Sequence, residues 1–372
     1  MNTMLDYIKE TPDCYLDIID NSYEYTKQLV DFYINNNYQG IYLIASGSSY
    51  NGTYCALSFI KHMTGIDVKL ETPFNFINHE IDYLDRQMLI GISQSGCSTN
   101  TLDAIKELNK RNYRTIALVG RDDCDAKDIA DLTINWKVGE EKIGFVTKGV
   151  SSLACFLMCF AIELKRVLFN LDIEKYNHIK NKLKEVIDIH PEMVENTINI
   201  FNKNISDFTA RDTVYVLSSG PNLGVGKEAA LKIAETSCIN AYAYEVEEFL
   251  HGPLYPLTPN ALIIVIDNND HPSSERMIDI ALALKDITDK VYVVSNNPRF
   301  DDSHSFRTSK QTCLHRSPLY KLACIQTLAY LMSEATNKYE PHQKIKDFKK
   351  ANKVSSKSRN NLYLDLQKVN NS

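Results

Sequence analysis

Two spacings of apolar residues alternate along the chain. A continuous apolar run at 41–45 and apolar-rich runs at 88–92 and 115–119 read as buried strands, and 132–136 offers a fourth. The first two runs each open onto a short loop rich in Ser and Gly. Residues at helical spacing follow, to about 62 after the first loop and over 102–112 after the second. Strand, glycine loop and helix in that order form the unit of a doubly wound α/β layer. The same order returns at 214–217, Ser218-Ser219-Gly220-Pro221-Asn222 and the helix 226–237, followed by a strand-like run at 240–244. Shifting the chain by 173 positions lays Tyr42 on Tyr215, Ser46 on Ser219, Gly47 on Gly220 and the strand 88–92 on 261–265. The strand at 291–294 answers 115–118 within a few residues. Two copies of one lobe are expected in tandem.

Around these lobes the pattern is helical. Residues 1–36 read as one or two amphipathic helices, with Thr11 or Asp13 as a cap and Pro12 at a first helical position. The stretch 173–202 reads as a helical connector, and Pro318 opens a helix over 319–336. The expected divisions are N-terminal helices 1–36, a first lobe 37–165, the connector 166–210, a second lobe 211–338 and a tail 339–372. The tail is charged, rich in Ser and Asn and poor in apolar residues, the composition of a disordered terminus.

At 372 residues, two domains are the better expectation, and 44% hydrophobic with 24% charged content is that of an ordinary globular protein. A net charge of -6 argues against a nucleic-acid surface. Nine cysteines with no C-x-x-C pair suit reduced cytosolic thiols, with no zinc site implied. The amino terminus lacks the basic flank and apolar core of a signal peptide, and the oily run 153–164 is too short to span a bilayer. A cytoplasmic protein without membrane partner, metal or cofactor is expected.

Candidate chemistry gathers in three places. The loops after the first two strands present Ser46, Ser48 and Ser49, then Ser93, Gln94, Ser95, Ser98 and Thr99. Singly, each is an ordinary helix cap. Together, at the switch point of one sheet, their hydroxyls and helix N-termini suit a dianionic phosphate. No P-loop, dinucleotide fingerprint or nucleophile elbow is present. On the helix 226–237, Glu228, Lys232 and Glu235 fall at i, i+4 and i+7 and share one stripe. A solvated Glu–Lys pair is the bland alternative. Beyond it, Glu245, Glu247 and Glu248 precede His251-Gly252-Pro253, and spacing alone leaves open whether His251 meets Glu235.

These residues resemble a known family. Ser46-Gly47-Ser48-Ser49-Tyr50-Asn51, Ser93-Gln94-Ser95-Gly96, Thr147-Lys148, the Glu228, Lys232, Glu235 stripe and His251-Gly252-Pro253 are similar to the double sugar isomerase (SIS) domain. The resemblance covers about 37–355. It is nearest to the isomerase half of glucosamine-6-phosphate synthase and to stand-alone amino-sugar-phosphate deaminases and fructosamine-6-phosphate deglycases. It implies that Ser49, Ser93, Gln94, Ser95 and Ser98 hold a sugar phosphate, with Ser46 and Ser48 nearby and Glu228 among the binding residues. Glu235 would be the base moving a proton between C1 and C2. Lys232 would tune that base or steady an enediolate, and His251 would open the ring, arriving from the second subunit of a homodimer. Lys353 would be the tail lysine of the site.

Departures narrow the expectation. With Met1-Asn2 in place of a cysteine-led amino terminus, a glutamine-hydrolysing half is not expected. Cys97 stands where synthases usually carry a glutamate, and Val146 where a serine often precedes Thr-Lys. Both suggest a substrate other than plain fructose 6-phosphate, and the acidic run 245–248 would suit an amine. The leading expectation is an isomerase-type enzyme on an amino- or amine-conjugated hexose phosphate. A simple ketose–aldose isomerase comes second, and a non-catalytic sugar-phosphate sensor third.

Overall fold

The computed structural model describes residues 2–142, 144–211, 213–337 and 343–350. Helices α1 (Met4–Asp20) and α2 (Ser22–Asn35) come first. The first lobe contains β1 (Gly40–Ala45), α3 (Gly47–Thr64), β2 (Asp67–Glu71), the single turn α4 (Pro73–Asn75), β3 (Gln87–Ser93), α5 (Thr99–Lys110), β4 (Thr115–Val119), β5 (Leu132–Asn135) and α6 (Lys148–Leu168). Helix α7 (Ile173–Lys203) and the short α8 (Ile205–Thr209) lead onward. The second lobe contains β6 (Thr213–Ser218), α9 (Leu223–Ser237), β7 (Asn240–Glu245), β8 (Leu262–Ile266), α10 (Ser273–Leu284), β9 (Val291–Val294), β10 (Ser305–Phe306) and α11 (Pro318–Thr336), with α12 (Gln343–Lys350) after it.

All strand pairs are parallel, in the orders β2-β1-β3-β4-β5 and β7-β6-β8-β9-β10. The two orders superpose under the 173-residue shift, with β7 taking the place of β2. Each chain reversal of direction across the sheet falls between β1 and β3, or β6 and β8, which is where such sheets bind ligands. The tandem doubly wound α/β architecture is therefore present.

One apolar cluster joins the lobes through α1, α2, α6, α7 and α11 and includes Tyr15, Phe156, Phe160, Ile189 and Leu328. Helix α6 is buried from Lys148 to Leu164, so the oily run at 153–164 is core. Among the described residues no helix is long and apolar enough to cross a membrane. Helices α3 and α9 meet where the lobes touch. A Cβ added at Gly224 would lie 2.7 Å from the Cys55 nitrogen and 2.8 Å from the Asn51 carbonyl, so only glycine admits this approach.

Pro12 departs from expectation. It lies inside α1, which starts eight residues earlier on a capping box between Thr3 and Asp6; neither Thr11 nor Asp13 is the cap. An interior proline costs about 3 kcal/mol. Burial of Tyr7, Ile8, Tyr15, Ile18 and Ile19 on both sides of it, at about 1.5–3 kcal/mol each, offsets that cost. Thr11 Oγ1 meanwhile donates to the Tyr7 carbonyl at 3.0 Å.

His190 on α7 is fully enclosed, edge-on to Tyr15, and neither ring nitrogen has a hydrogen-bond partner among the described residues. Burial holds its pKa down at about 3, against 6.5 for the free group. Because the unfolded chain takes up the proton first, acid favours unfolding. His190 leaves stability unchanged above about pH 6.5 and removes up to about 1.4 kcal/mol per pH unit between about 6.5 and 3. Urea unfolding at pH 7, 6 and 5 is expected to show a gradient that His190→Leu reduces by about one proton.

Candidate functional site

Strand β1 ends at Ala45 and the chain turns through Gly47, at φ 55°, into α3. A side chain there would be strained, so the glycine is what lets Ser46, Ser48 and Ser49 stand at the strand end. Strand β3 ends in the same way at Ser93, and Gly96 (φ 63°) packs its bare Cα against Cys124. The two loops are joined. Asn100 Nδ2 donates to Ser46 Oγ at 2.8 Å, while Ser93 Oγ lies 2.9 Å from Ser98 Oγ and 3.4 Å from Ser95 Oγ. Ser95 Oγ also accepts the Cys97 N–H. The result is a cluster of serine hydroxyls at the switch point of the first sheet.

A buried polar chain runs from this cluster into the second lobe. Lys232 Nζ donates to Ser48 Oγ at 3.0 Å and to Glu235 Oε2 at 2.8 Å. Ser48 in turn donates to Glu228 Oε1 at 3.0 Å, and Asn51 Nδ2 donates to Glu228 Oε2 at 2.9 Å. Side chains Glu228 and Lys232 are 0% and 1% exposed, whereas Glu235 keeps 39%. Burial raises the Glu228 carboxyl pKa, opposed by Lys232, Asn51 and Ser48. Burial pulls Lys232 down, but the two carboxylates outweigh it and keep the ammonium charged. The stripe on α9 thus holds one accessible carboxylate, Glu235, on a cation that is itself pinned by the first lobe.

The SIS-domain model matches residues 36–162 and 207–299, one segment in each lobe. The chain belongs to the SIS-domain family. A glutamine–fructose-6-phosphate aminotransferase (isomerizing) of Buchnera aphidicola is 23% identical over 316 residues, covering 81% of this chain and 50% of that protein. The chain spans about half the length of the curated relatives it matches. Among solved structures, the C-terminal domain of glucosamine-fructose-6-phosphate aminotransferase from Francisella tularensis aligns with TM-score 0.80 at 19% identity, covering 90% of this chain and 96% of that one. Glucosamine-6-phosphate deaminase from Thermotoga maritima aligns with TM-score 0.66 at 20% identity, covering 90% and 98%. The two parallel sheets are accordingly a pair of SIS lobes.

Within this SIS pair several expected site residues are engaged by other protein groups. Glu228 and Ser48, expected from the sequence as binding residues, are buried and bonded to protein groups around Lys232. Gln94 is likewise engaged: its Nε2 donates to Glu141 Oε2 at 2.7 Å, and its side chain packs over Gly149. Glu141, not singled out from the sequence, also accepts the N–H groups of Thr147, Lys148 and Gly149 at the start of α6. Burial raises its carboxyl pKa against those four donors. The signal available was a Glu a few residues ahead of a helix N-terminus. Asn51 and Asn100 were also missed as site residues, though each stands in or beside a serine loop.

Lys148 of the Thr147-Lys148 pair is spent on Glu10 at 2.8 Å. His251 ends the turn Glu248–His251 after β7, exposed, and no hydrogen bond among the described residues joins it to Glu235. Two carboxylates of the acidic run are engaged within the protein. Glu245 accepts the N–H groups of Glu247 and Glu248, and Glu247 pairs with Arg276 at 2.6 Å, which leaves little reason to read the run as an amine site. Arg276 chiefly, and then His251, hold the Glu247 carboxyl below its usual range. Lys353 lies outside the described residues.

Proposed function

We propose that this chain is a phosphosugar isomerase-type enzyme that moves a proton between C1 and C2 of a hexose 6-phosphate bearing an amine or amine conjugate. The observation that carries the reading is the Ser48–Lys232–Glu235 connection, which ties the hydroxyl cluster of one lobe to the accessible carboxylate of the other. In this reading Ser49, Ser93, Ser95 and Ser98 grip the phosphate, with Gln94 bordering them and Ser46 facing sugar hydroxyls. Glu235 takes the proton from one carbon as a carboxylate and returns it to the neighbour, so the base is regenerated each turn. Lys232, three residues away, sits on the side where an enediolate oxygen gains charge.

His251 suits ring opening, because an imidazole can both give and take a proton. We take it to act on the site of a second copy in a homodimer. The exposed Tyr242 and Tyr255, 46% and 88% exposed beside this loop, fit a covered surface. The amine is supported by two relatives, an aminotransferase and a deaminase. Engagement of Glu245 and Glu247 within the protein favours the second reading, plain ketose–aldose isomerisation. Ammonia or amine release during turnover separates the two. A sugar-phosphate sensor would bind without exchanging C1 or C2 protons.

Thermal unfolding with a panel of hexoses and their 6-phosphates tests the phosphate grip. The 6-phosphates are expected to raise the melting temperature, since ligand bound by the native state stabilises it by RT ln(1 + [L]/Kd). Ser93→Ala with Ser95→Ala should remove most of that shift. An equal shift from the parent hexoses, or an undiminished one in the double variant, would overturn the assignment of the cluster.

A further inference from the structure

Gln94 lies between Ser93 and Ser95, yet its carboxamide takes no part in the hydroxyl cluster. It runs through a slot walled by two glycines: a Cβ added at Gly120 would lie 2.9 Å from its Cγ, and one added at Gly149 would lie 1.9 Å from its Oε1. Only residues without a side chain leave that room. Within the slot Oε1 is enclosed and has no hydrogen-bond partner among the described residues, so the bond from Nε2 to Glu141 at 2.7 Å is what holds the polar end. The main chain is held as well, since the Gln94 carbonyl accepts the Gly120 N–H at 3.0 Å.

Glu141 is a firm anchor for that bond. Its Oε1 accepts the Thr147 and Lys148 N–H groups, each at 2.8 Å, and its Oε2 accepts that of Gly149 at 3.2 Å. Donors at the start of a helix have no partner within it, and the helix dipole favours a carboxylate there. The segment carrying Glu141 is also fastened to α1. The Lys142 N–H donates to Tyr7 Oη at 2.9 Å, and Lys148 Nζ donates to Glu10 Oε2 at 2.8 Å. Through Glu141, the loop that presents Ser93 and Ser95 is tied to two helices of the core.

We propose that Glu141 is a positioning residue of the phosphate site: by holding Gln94 it fixes where the hydroxyls of Ser93 and Ser95 stand. The proposal rests on the reading of the serine cluster as that site. A hydroxyl contributes to anion binding only within a narrow range of distance and angle, and a site weakens when its supporting groups let it shift by about an ångström. Both Glu141 oxygens are occupied by protein N–H groups, so it acts on the ligand through Gln94 and not by touching it.

Isothermal titration of the full chain with glucose 6-phosphate and with inorganic phosphate tests it, at a temperature where circular dichroism shows each variant folded. Glu141→Ala is expected to weaken binding about tenfold, the scale of one hydrogen bond to a charged group. Glu141→Gln should restore it to within about threefold, because the Gln94 carboxamide can turn over and accept from the new amide. Gln94→Met, which fills the slot without an N–H donor, should lose as much as Glu141→Ala, and the double variant no more than either. A carboxylate that only supports the fold would lower the melting temperature and leave both the affinity of the folded protein and this coupling unmoved. Unchanged affinity in Glu141→Ala or Gln94→Met, or losses that add in the double variant, overturn the proposal while the serine cluster stands. If Glu141→Ala does not fold, Gln94→Met decides by the same criterion. Absence of binding to the unmodified protein, or binding undiminished in Ser93→Ala with Ser95→Ala, overturns the cluster and the proposal with it.

Discussion

Glu235→Gln is expected to lower turnover of a hexose phosphate by about 10²–10⁴-fold, the usual contribution of a positioned general base, while phosphate-ester binding persists. The amide is nearly isosteric and can still accept a hydrogen bond from Lys232 Nζ, now 2.8 Å from Glu235 Oε2, so the α9 surface keeps its shape. What it loses is the capacity to hold a proton between two carbons. Exchange of the C1 and C2 hydrogens with solvent deuterium, followed by NMR, reads that capacity directly. Turnover within a few fold of the unmodified protein would remove Glu235 from the chemistry. Exchange lost together with ligand-induced thermal stabilisation would place it in binding instead.

The second large effect is on folding. Lys232→Met leaves Glu228 buried with its cation gone and Ser48 without its donor. Breaking such a pair from one side typically costs about 3–5 kcal/mol, because an uncompensated charge remains inside. Urea unfolding should show the midpoint fall with little change in slope. Adding Glu228→Leu removes the stranded carboxylate and is expected to recover much of the loss, since apolar replacement of a whole buried pair is often neutral. Activity should stay lost in both variants, as neither holds Glu235. A single variant as stable as the parent would mean that the connection is solvated, and the bridge between lobes would carry no weight.

Much of this was legible in the chain. Strands β1, β3, β4, β6, β8 and β9 are apolar runs because both faces of a parallel sheet are covered, and the internal repeat gave the second lobe from the first. Helices α7 and α11 followed from periodicity and from Pro318. Strand β2, Asp67-Val68-Lys69-Leu70-Glu71, was not seen. It is an edge strand, buried only at Val68, so its composition is that of a loop. Two-residue β10 carries too little pattern to detect. Pro12 misled because local chemistry favours a helix start, while the apolar stripe that overrides it is a tertiary fact.

For the site, the Glu228, Lys232, Glu235 stripe was visible from helical spacing. Which of its members faces solvent was not, since that depends on Ser48 and Asn51, about 180 positions earlier in the chain. The role of Glu141 was hidden for a similar reason: the carboxylate is read as a cap only once Gln94 and the start of α6 are seen around it.

The bare Cα of Gly224 against the backbone of α3 bears on how such halves can be exchanged. Ser48 reaches Lys232 only because these two helices nest without an intervening methyl. Transplanting either half onto a foreign mate would therefore fail at the joint unless the recipient also offers a hollow there, even with every functional side chain retained. In this chain, exchanging one half is limited by fit at the joint as well as by chemistry at the mouth.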